Sequence, residues 1–216
     1  MSIQLDNTAA GIVTLKPGAS GSYSMTLPVA NASGALTNDG SGNMSFVAAG
    51  DIVLVKTASF SAVANTSTTF DGVFTSTYKS YRVIVRQMFC PSTGAYPVLQ
   101  MRIGSTTQTS ADYSYYYTWV SGPGATATAA ANSQTNWLLP DTWVTAASPS
   151  SWYMDFTGVG LTNSEAVLAS FSGLGNGSNR WYTGGLRRQV TGTYSGFILT
   201  ATDQTLTGTI DIYGYK

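Results

Sequence analysis

Period-two alternation of apolar and polar positions runs through most of the chain and predicts strands. Over Tyr81–Met88, Tyr81, Val83 and Val85 share one face, while Arg82, Ile84 and Arg86 share the other. Val98–Ile103 repeats the pattern, with Leu99, Met101 and Ile103 opposite Gln100 and Arg102, and Pro91-Ser92-Thr93-Gly94 between these two runs suits a hairpin-like connection. Near the end, Gly208, Ile210 and Ile212 alternate with Thr207, Thr209, Asp211 and Tyr213. Further strands are predicted at Asp51–Phe60, Asp112–Val120, Asn136–Leu139, Ser151–Phe156, Ala166–Ser172, Arg180–Thr183 and Gly196–Ala201. Helical signals are nearly absent. Ser164 could cap a single turn over Ser164–Ser170, but that stretch reads equally as a short strand. Gly122–Ala131 reads as a small-residue loop or extended arm. Short strands at this spacing, separated by Gly, Ser and Asn, predict an all-β, antiparallel, jelly-roll-like sandwich.

The first fifty residues differ. Gly11–Leu15, Ser22–Leu27 and Met44–Val47 are brief β-type runs, each too short for a sheet that stands alone in water. Asn38-Asp39-Gly40-Ser41-Gly42-Asn43 supplies residues tolerant of positive φ for a tight reversal. A boundary is expected near Ala48-Ala49-Gly50, giving an attachment or stalk segment over 1–50 and a sandwich head over 51–216.

Two stretches carry a resemblance. Thr14, Leu15, Gly18, Gly21, Tyr23, Thr26, Leu27 and Pro28, followed by Gly34, Leu36, Asp39, Gly40, Gly42, Ser45 and Phe46, form a pattern that resembles the N-terminal or stalk segment of phage tail-fibre proteins. Phe74, Tyr78, Tyr81, Arg82, Val83 and Val85, then Leu99, Met101 and Arg102, then Gly208, Thr209, Tyr213 and Gly214, form a second pattern. It resembles a β-sandwich head of phage fibre and virion proteins, marine ones especially. The resemblance implies a homotrimeric tail fibre or fibre tip that attaches to a host surface without catalysis, with residues 1–50 contacting other virion proteins. A capsid decoration, cement or head-fibre protein stays open beside it, as do a carbohydrate-binding module and a polysaccharide depolymerase.

Charge narrows the field. Ten basic and ten acidic residues cancel, and charged residues make up only 9% of the chain, against the basic excess that nucleic-acid or membrane-surface partners favour. Met1-Ser2-Ile3-Gln4 has neither a basic start nor an apolar h-region, and no run has the apolar length of a membrane span. A virion protein made in the host cytoplasm without a signal peptide fits that combination.

Reactive groups are sparse. Histidine is absent, which excludes Ser-His-Asp and Cys-His arrangements and most zinc sites. Cys90 stands alone, flanked by Met88, Phe89 and Pro91, and reads as an inert packing thiol. Glu165 is the one glutamate beside nine aspartates; of these, Asp141 with Asp155, or Asp155 with Asp211, could face each other as a glycosidase pair. Exposed aspartates more often cap turns, so no catalytic residue, metal or cofactor is expected. Gly173–Gly177 and Gly184-Gly185 lack a following helix or P-loop lysine and read as turns, and Asp39–Asn43 lacks the closing Glu of a calcium loop.

Two clusters remain as candidate contacts. Tyr113, Tyr115, Tyr117 and Trp119 share one strand face and Tyr116 the other; Trp181 and Tyr182, or Trp152 and Tyr153, could complete a stacking platform for sugar rings. Burial of most of these rings in the core or in a subunit seam is the competing and more common outcome. Arg82, Arg86 and Arg102 form the second cluster, read as an intersubunit charge patch before an anionic-glycan contact, whereas Arg187-Arg188 is expected in a solvated loop.

Overall fold

The computed structural model describes residues 12–15, 23–26, 35–38, 44–47, 51–63, 68–90, 96–122, 124–139, 149–161, 167–175, 180–201 and 205–216. The chain divides into two compact units, Met1–Asp51 and Ile52–Lys216. The first holds two small antiparallel ladders. β1 (Ile12–Leu15) pairs with β2 (Tyr23–Thr26), and β3 (Ala35–Asn38) with β4 (Met44–Val47). Asn38 lies opposite Met44, so the Asn/Asp/Gly segment between them, itself outside the described residues, joins the two arms of a hairpin.

The second unit is all-β and sandwich-like, as the alternation predicts. One antiparallel sheet has eight strands. In spatial order they are β11 (Ala125–Gln134), β10 (Tyr113–Ser121), β15 (Arg180–Arg188), β14 (Val167–Gly175), β13 (Ser150–Thr157), β7 (Ser80–Phe89), β17 (Leu206–Tyr215) and β5 (Ile52–Val63). The other sheet runs β12 (Trp137–Leu138), β8 (Pro97–Ile103), β16 (Gly196–Ala201), β6 (Thr69–Phe70), with β9 (Thr106–Thr107) paired to β8. The inner faces meet in one aromatic-rich core. Phe156 of the large sheet packs on Phe197 of the small one at 6.2 Å between ring centroids, and Tyr113 meets Trp137 edge-on at 5.3 Å.

Phase is kept by bulges. Strict alternation would place Gln87 inward after Tyr81, Val83 and Val85. Instead Gln87 takes φ 52°, its N–H donates to Ser151 Oγ at 3.1 Å, and Met88 turns into the core. The ladders on both sides of β7 shift register at this level, because one extra residue on a strand flips every side chain beyond it.

Several expectations change. β7 and β8 do not pair; they belong to opposite sheets, so the Pro91–Gly94 segment, outside the described residues, joins two layers rather than two arms of a hairpin. Of the small-residue stretch, Ala125–Ala131 is strand, the start of β11, which continues to Gln134 and pairs with Tyr113–Ser121. Val167–Ser170 is strand, settling the described part of the Ser164–Ser170 ambiguity. Gly173, Gly184 and Gly185 are not turns but strand interiors. At Gly173 and Gly184 the neighbouring strand approaches too closely for a side chain, whereas Gly185 has room for one. Gly184 is the clearest case: a Cβ there would stand 2.6 Å from Tyr117 Cβ and 2.8 Å from Phe171 Cε1.

Candidate ligand-binding face

Register determines which side chains share the outer face of the large sheet. Tyr113, Tyr115, Tyr117 and Trp119 lie on the inner side of β10. Tyr113 and Tyr117 are buried, and Tyr115 and Trp119 are half-buried against the core. Tyr182, opposite Trp119, is buried too. These five rings of the predicted platform therefore pack the sandwich, because the apolar odd positions of a half-buried strand face inward together. Tyr115 stacks on Tyr117 at 5.6 Å and Tyr117 meets Phe171 at 6.0 Å. Burial pushes the Tyr113 and Tyr117 phenols up to about 12 and raises that of Tyr115.

The even positions point outward. Tyr116 is 54% exposed and Trp181 52%, so only these two of the seven predicted aromatic residues stand clear on the surface. Tyr153, 39% exposed, joins them on β13, while its neighbour Trp152 is buried.

Following the pairings across the sheet from Tyr116 gives Gly185, Ser170, Asp155, Arg82 and Tyr213 in one row. Two small residues in the middle of that row leave a trough. Its walls, Tyr116 and Asp155, are three strands apart, about 14 Å by strand spacing. On one side lies the row Ser114, Arg187, Leu168, Thr157, and on the other Thr118, Thr183, Ser172, Tyr153. The trough encloses about 640 Å³, and a smaller hollow of about 240 Å³ beside it is bordered by Trp181, Tyr153, Arg82 and Arg86. Hydroxyl-bearing residues dominate the rows between the rings.

Charges on this face are tied in pairs. Arg82 donates two hydrogen bonds to Asp155, Nε to Oδ1 and Nη2 to Oδ2, each 2.7 Å. This fork pushes the Arg82 pKa further up, and the guanidinium lies 5.0 Å from the Tyr153 ring centroid. Arg86 Nη2 donates to Asp211 Oδ2 at 2.5 Å, and Thr57 Oγ1 donates to the other oxygen at 2.8 Å. Asp155 and Asp211, the carboxylates considered as a glycosidase pair, each accept hydrogen bonds from an arginine of the same sheet. Asp141 lies outside the described residues.

Arg102 does not sit beside Arg82 and Arg86. It belongs to β8 in the other sheet and pairs with Asp71, Nε to Oδ1 at 2.6 Å. The three arginines of the predicted charge patch each have an aspartate partner within the chain. Arg187 and Arg188 are not in a loop; they close β15, with Arg188 fully buried and Arg187 exposed on the outer face. Arg187 belongs to none of the ion pairs among the described residues. Cys90 is buried, and burial pushes its thiol up to about 11.

Ser170, Gly185 and Arg187 are trough residues that sequence reasoning did not assign to a site, Gly185 reading as a turn and Arg187 as part of a solvated loop. Their outward positions follow from period two once the register is known, but nothing local indicates that β10, β15, β14 and β13 are neighbours in that order. Comparison of the chain with family models, with curated proteins and with solved structures returns no match. The class defined by fold and face is an all-β sandwich with an open, aromatic-studded sheet surface.

Proposed function

We propose that this chain is a non-catalytic attachment protein of a phage virion, a homotrimeric tail fibre or fibre tip. Its sandwich head presents the outer face of the large sheet to a host surface. The observation that carries the reading is that face itself: Tyr116, Tyr153 and Trp181 stand exposed over a floor of glycine and hydroxyl residues, with the nearby aspartates neutralised by arginines. Aromatic rings over hydroxyl-rich surface suit saccharides, which offer apolar C–H faces for stacking and many hydroxyls for exchangeable hydrogen bonds. The tail-fibre-like pattern of residues 14–46 supports the trimeric assignment. So does the shortness of its two ladders, four residues per strand, which favours burial against copies of themselves. Weak contacts at each head would then add as avidity across a threefold tip.

Two measurements on the full chain test this. Native mass spectrometry is expected to give a trimer, and a monomer overturns the free-standing fibre. Fluorescently labelled protein applied to bacterial envelopes is expected to be retained on susceptible strains and lost for the Tyr116→Ala, Tyr153→Ala, Trp181→Ala triple variant. Equal retention of the variant overturns the assignment of the face.

A further inference from the structure

We infer that the trough between Tyr116 and Asp155 is a site for a carboxylated pyranose, the acidic sugar of a surface polysaccharide, stacked on Tyr116 with its carboxylate held by Arg187. The inference rests on the attachment reading above and adds the ligand class and its site.

The argument is one of charge and shape. Of the two ionised side chains that line the trough, Asp155 is already neutralised by the two-pronged Arg82 contact. Arg187 is exposed and has no ion-pair partner among the described residues, so the trough carries a surplus positive charge. Its position is fixed from below: the Arg187 carbonyl accepts the indole N–H of fully buried Trp137 at 2.9 Å, and its strand neighbour Arg188 is locked in the core. The backbone that carries the side chain is therefore fixed, and the planar fork of the exposed guanidinium matches the two oxygens of a carboxylate.

Shape comes from Gly185 and Ser170. Gly185 faces open space, its nearest neighbour to a notional Cβ being the Ala169 carbonyl oxygen at 4.0 Å. A ring can therefore lie against the sheet backbone, flanked by Tyr116 and Leu168, with Ser170 and Asp155 in reach of its hydroxyls. A second copy of the chain is a poorer occupant. Leu168, Val120 and Trp181 add exposed apolar area to this face. A symmetric copy, however, would bring a second Arg187, with no ion-pair partner among the described residues, toward the first, whereas an anionic ligand complements it.

The test is isothermal titration calorimetry of the full chain with a short oligogalacturonate and with the same oligomer methyl-esterified, which removes the charge and keeps the rings. Binding of the free acid and at least tenfold weaker binding of the ester are expected. Arg187→Gln should weaken the acid to the level of the ester, and Tyr116→Ala should weaken both probes. Gly185→Leu should abolish binding by filling the trough while leaving the fold intact, and the exposed Lys79→Gln should bind as the parent chain does. Equal affinity for acid and ester, or undiminished binding by Gly185→Leu, overturns the inference. Absence of binding to either probe by a chain still retained on envelopes overturns the inference and leaves the attachment reading standing. Loss of both overturns the two together. A fall in native mass on Tyr116→Ala or Arg187→Gln makes the face an interface between copies, and also overturns it.

Discussion

The guanidinium of Arg188, fully buried, donates to Asp112 Oδ2 at 2.9 Å from between two aromatic rings, with the Tyr113 and Tyr194 centroids each 5.1 Å away. Arg188 Nη1 also donates to the Tyr194 hydroxyl. Removing one partner of such a pair leaves the other charge without compensation in a low-dielectric site, at about 3 kcal/mol or more. Asp112→Ala therefore strands a buried cation and should lower the urea midpoint steeply. Arg188→Met should cost less, because Asp112 retains 15% exposure and can turn to water while the thioether fills the space between the rings. A larger loss for Arg188→Met than for Asp112→Ala would mean that the guanidinium is held by its rings rather than by its carboxylate.

Two adjacent glycines should respond oppositely to the same change. Gly184 points inward, where a Cβ would stand 2.6 Å from Tyr117 Cβ, and Gly185 points outward into the trough. Gly184→Ala must displace β10 or β15 and should cost about 1–3 kcal/mol, the range for overpacking a tight core. Gly185→Ala meets no obstacle and replaces a strand glycine, so it should be neutral or stabilising by a few tenths of a kcal/mol. Thermal denaturation of the two single variants reads the difference directly.

The same pair of glycines shows where the sequence stops informing. Alternation and turn residues are local, and they suffice for the all-β class, for most strands, and for the inward face shared by Tyr81, Val83 and Val85. A Gly-Gly pair is locally a turn signal. Only the approach of β10 and β14 on either side makes it strand interior, and that approach is set by pairing between residues far apart in the chain. The same holds for Arg102, which sequence places beside Arg82 and Arg86 because an apparent hairpin joins their strands. The chain instead crosses between layers there. Among the aromatics, period two separates Tyr116 from Tyr115 and Tyr117 correctly, but which face is core depends on what the opposite sheet supplies.

Alkaline pH should lower the stability of the head through its buried phenols. Burial raises the Tyr113 and Tyr117 phenols from 10.0 to about 12 because the phenolate is poorly solvated inside the sandwich. The unfolded chain then loses these protons at a lower pH than the folded one. Their contribution to stability is complete below pH 10 and disappears as pH climbs through about 12. Cys90, raised from 9.0 to about 11, adds an earlier onset of the same sign. Urea midpoints measured from pH 8 upward should fall beyond pH 9 and more steeply beyond 10. Tyr117→Phe should flatten the upper part of that fall. It is the cleaner substitution, since the Tyr113 hydroxyl donates to the Gln108 carbonyl at 2.7 Å and accepts the Met101 N–H at 3.0 Å.

The two outer-face salt bridges look alike in sequence and should behave differently. Arg82 and Asp155 are 40% and 33% exposed, so when Arg82 is cut to Ala the carboxylate is taken up by water. An exposed pair of this kind contributes about 1 kcal/mol or less. Asp211 is only 9% exposed beside an Arg86 that is 54% exposed, so the aspartate is the buried partner and depends on its donors. Arg86→Ala leaves it with the Thr57 hydroxyl alone, an under-satisfied buried carboxylate that should cost about 1–3 kcal/mol. The asymmetry predicts an order, Arg86→Ala more destabilising than Arg82→Ala, although Arg82 makes two charge-assisted bonds and Arg86 one. It also predicts strong coupling between Arg86 and Thr57, because either donor alone can partly satisfy Asp211 and loss of both cannot be absorbed. A double-mutant cycle over Arg86→Ala and Thr57→Val, read by urea denaturation, should show the double variant losing more than the sum of the singles. Simple additivity would mean that water reaches Asp211 and that the sheet is open at that point.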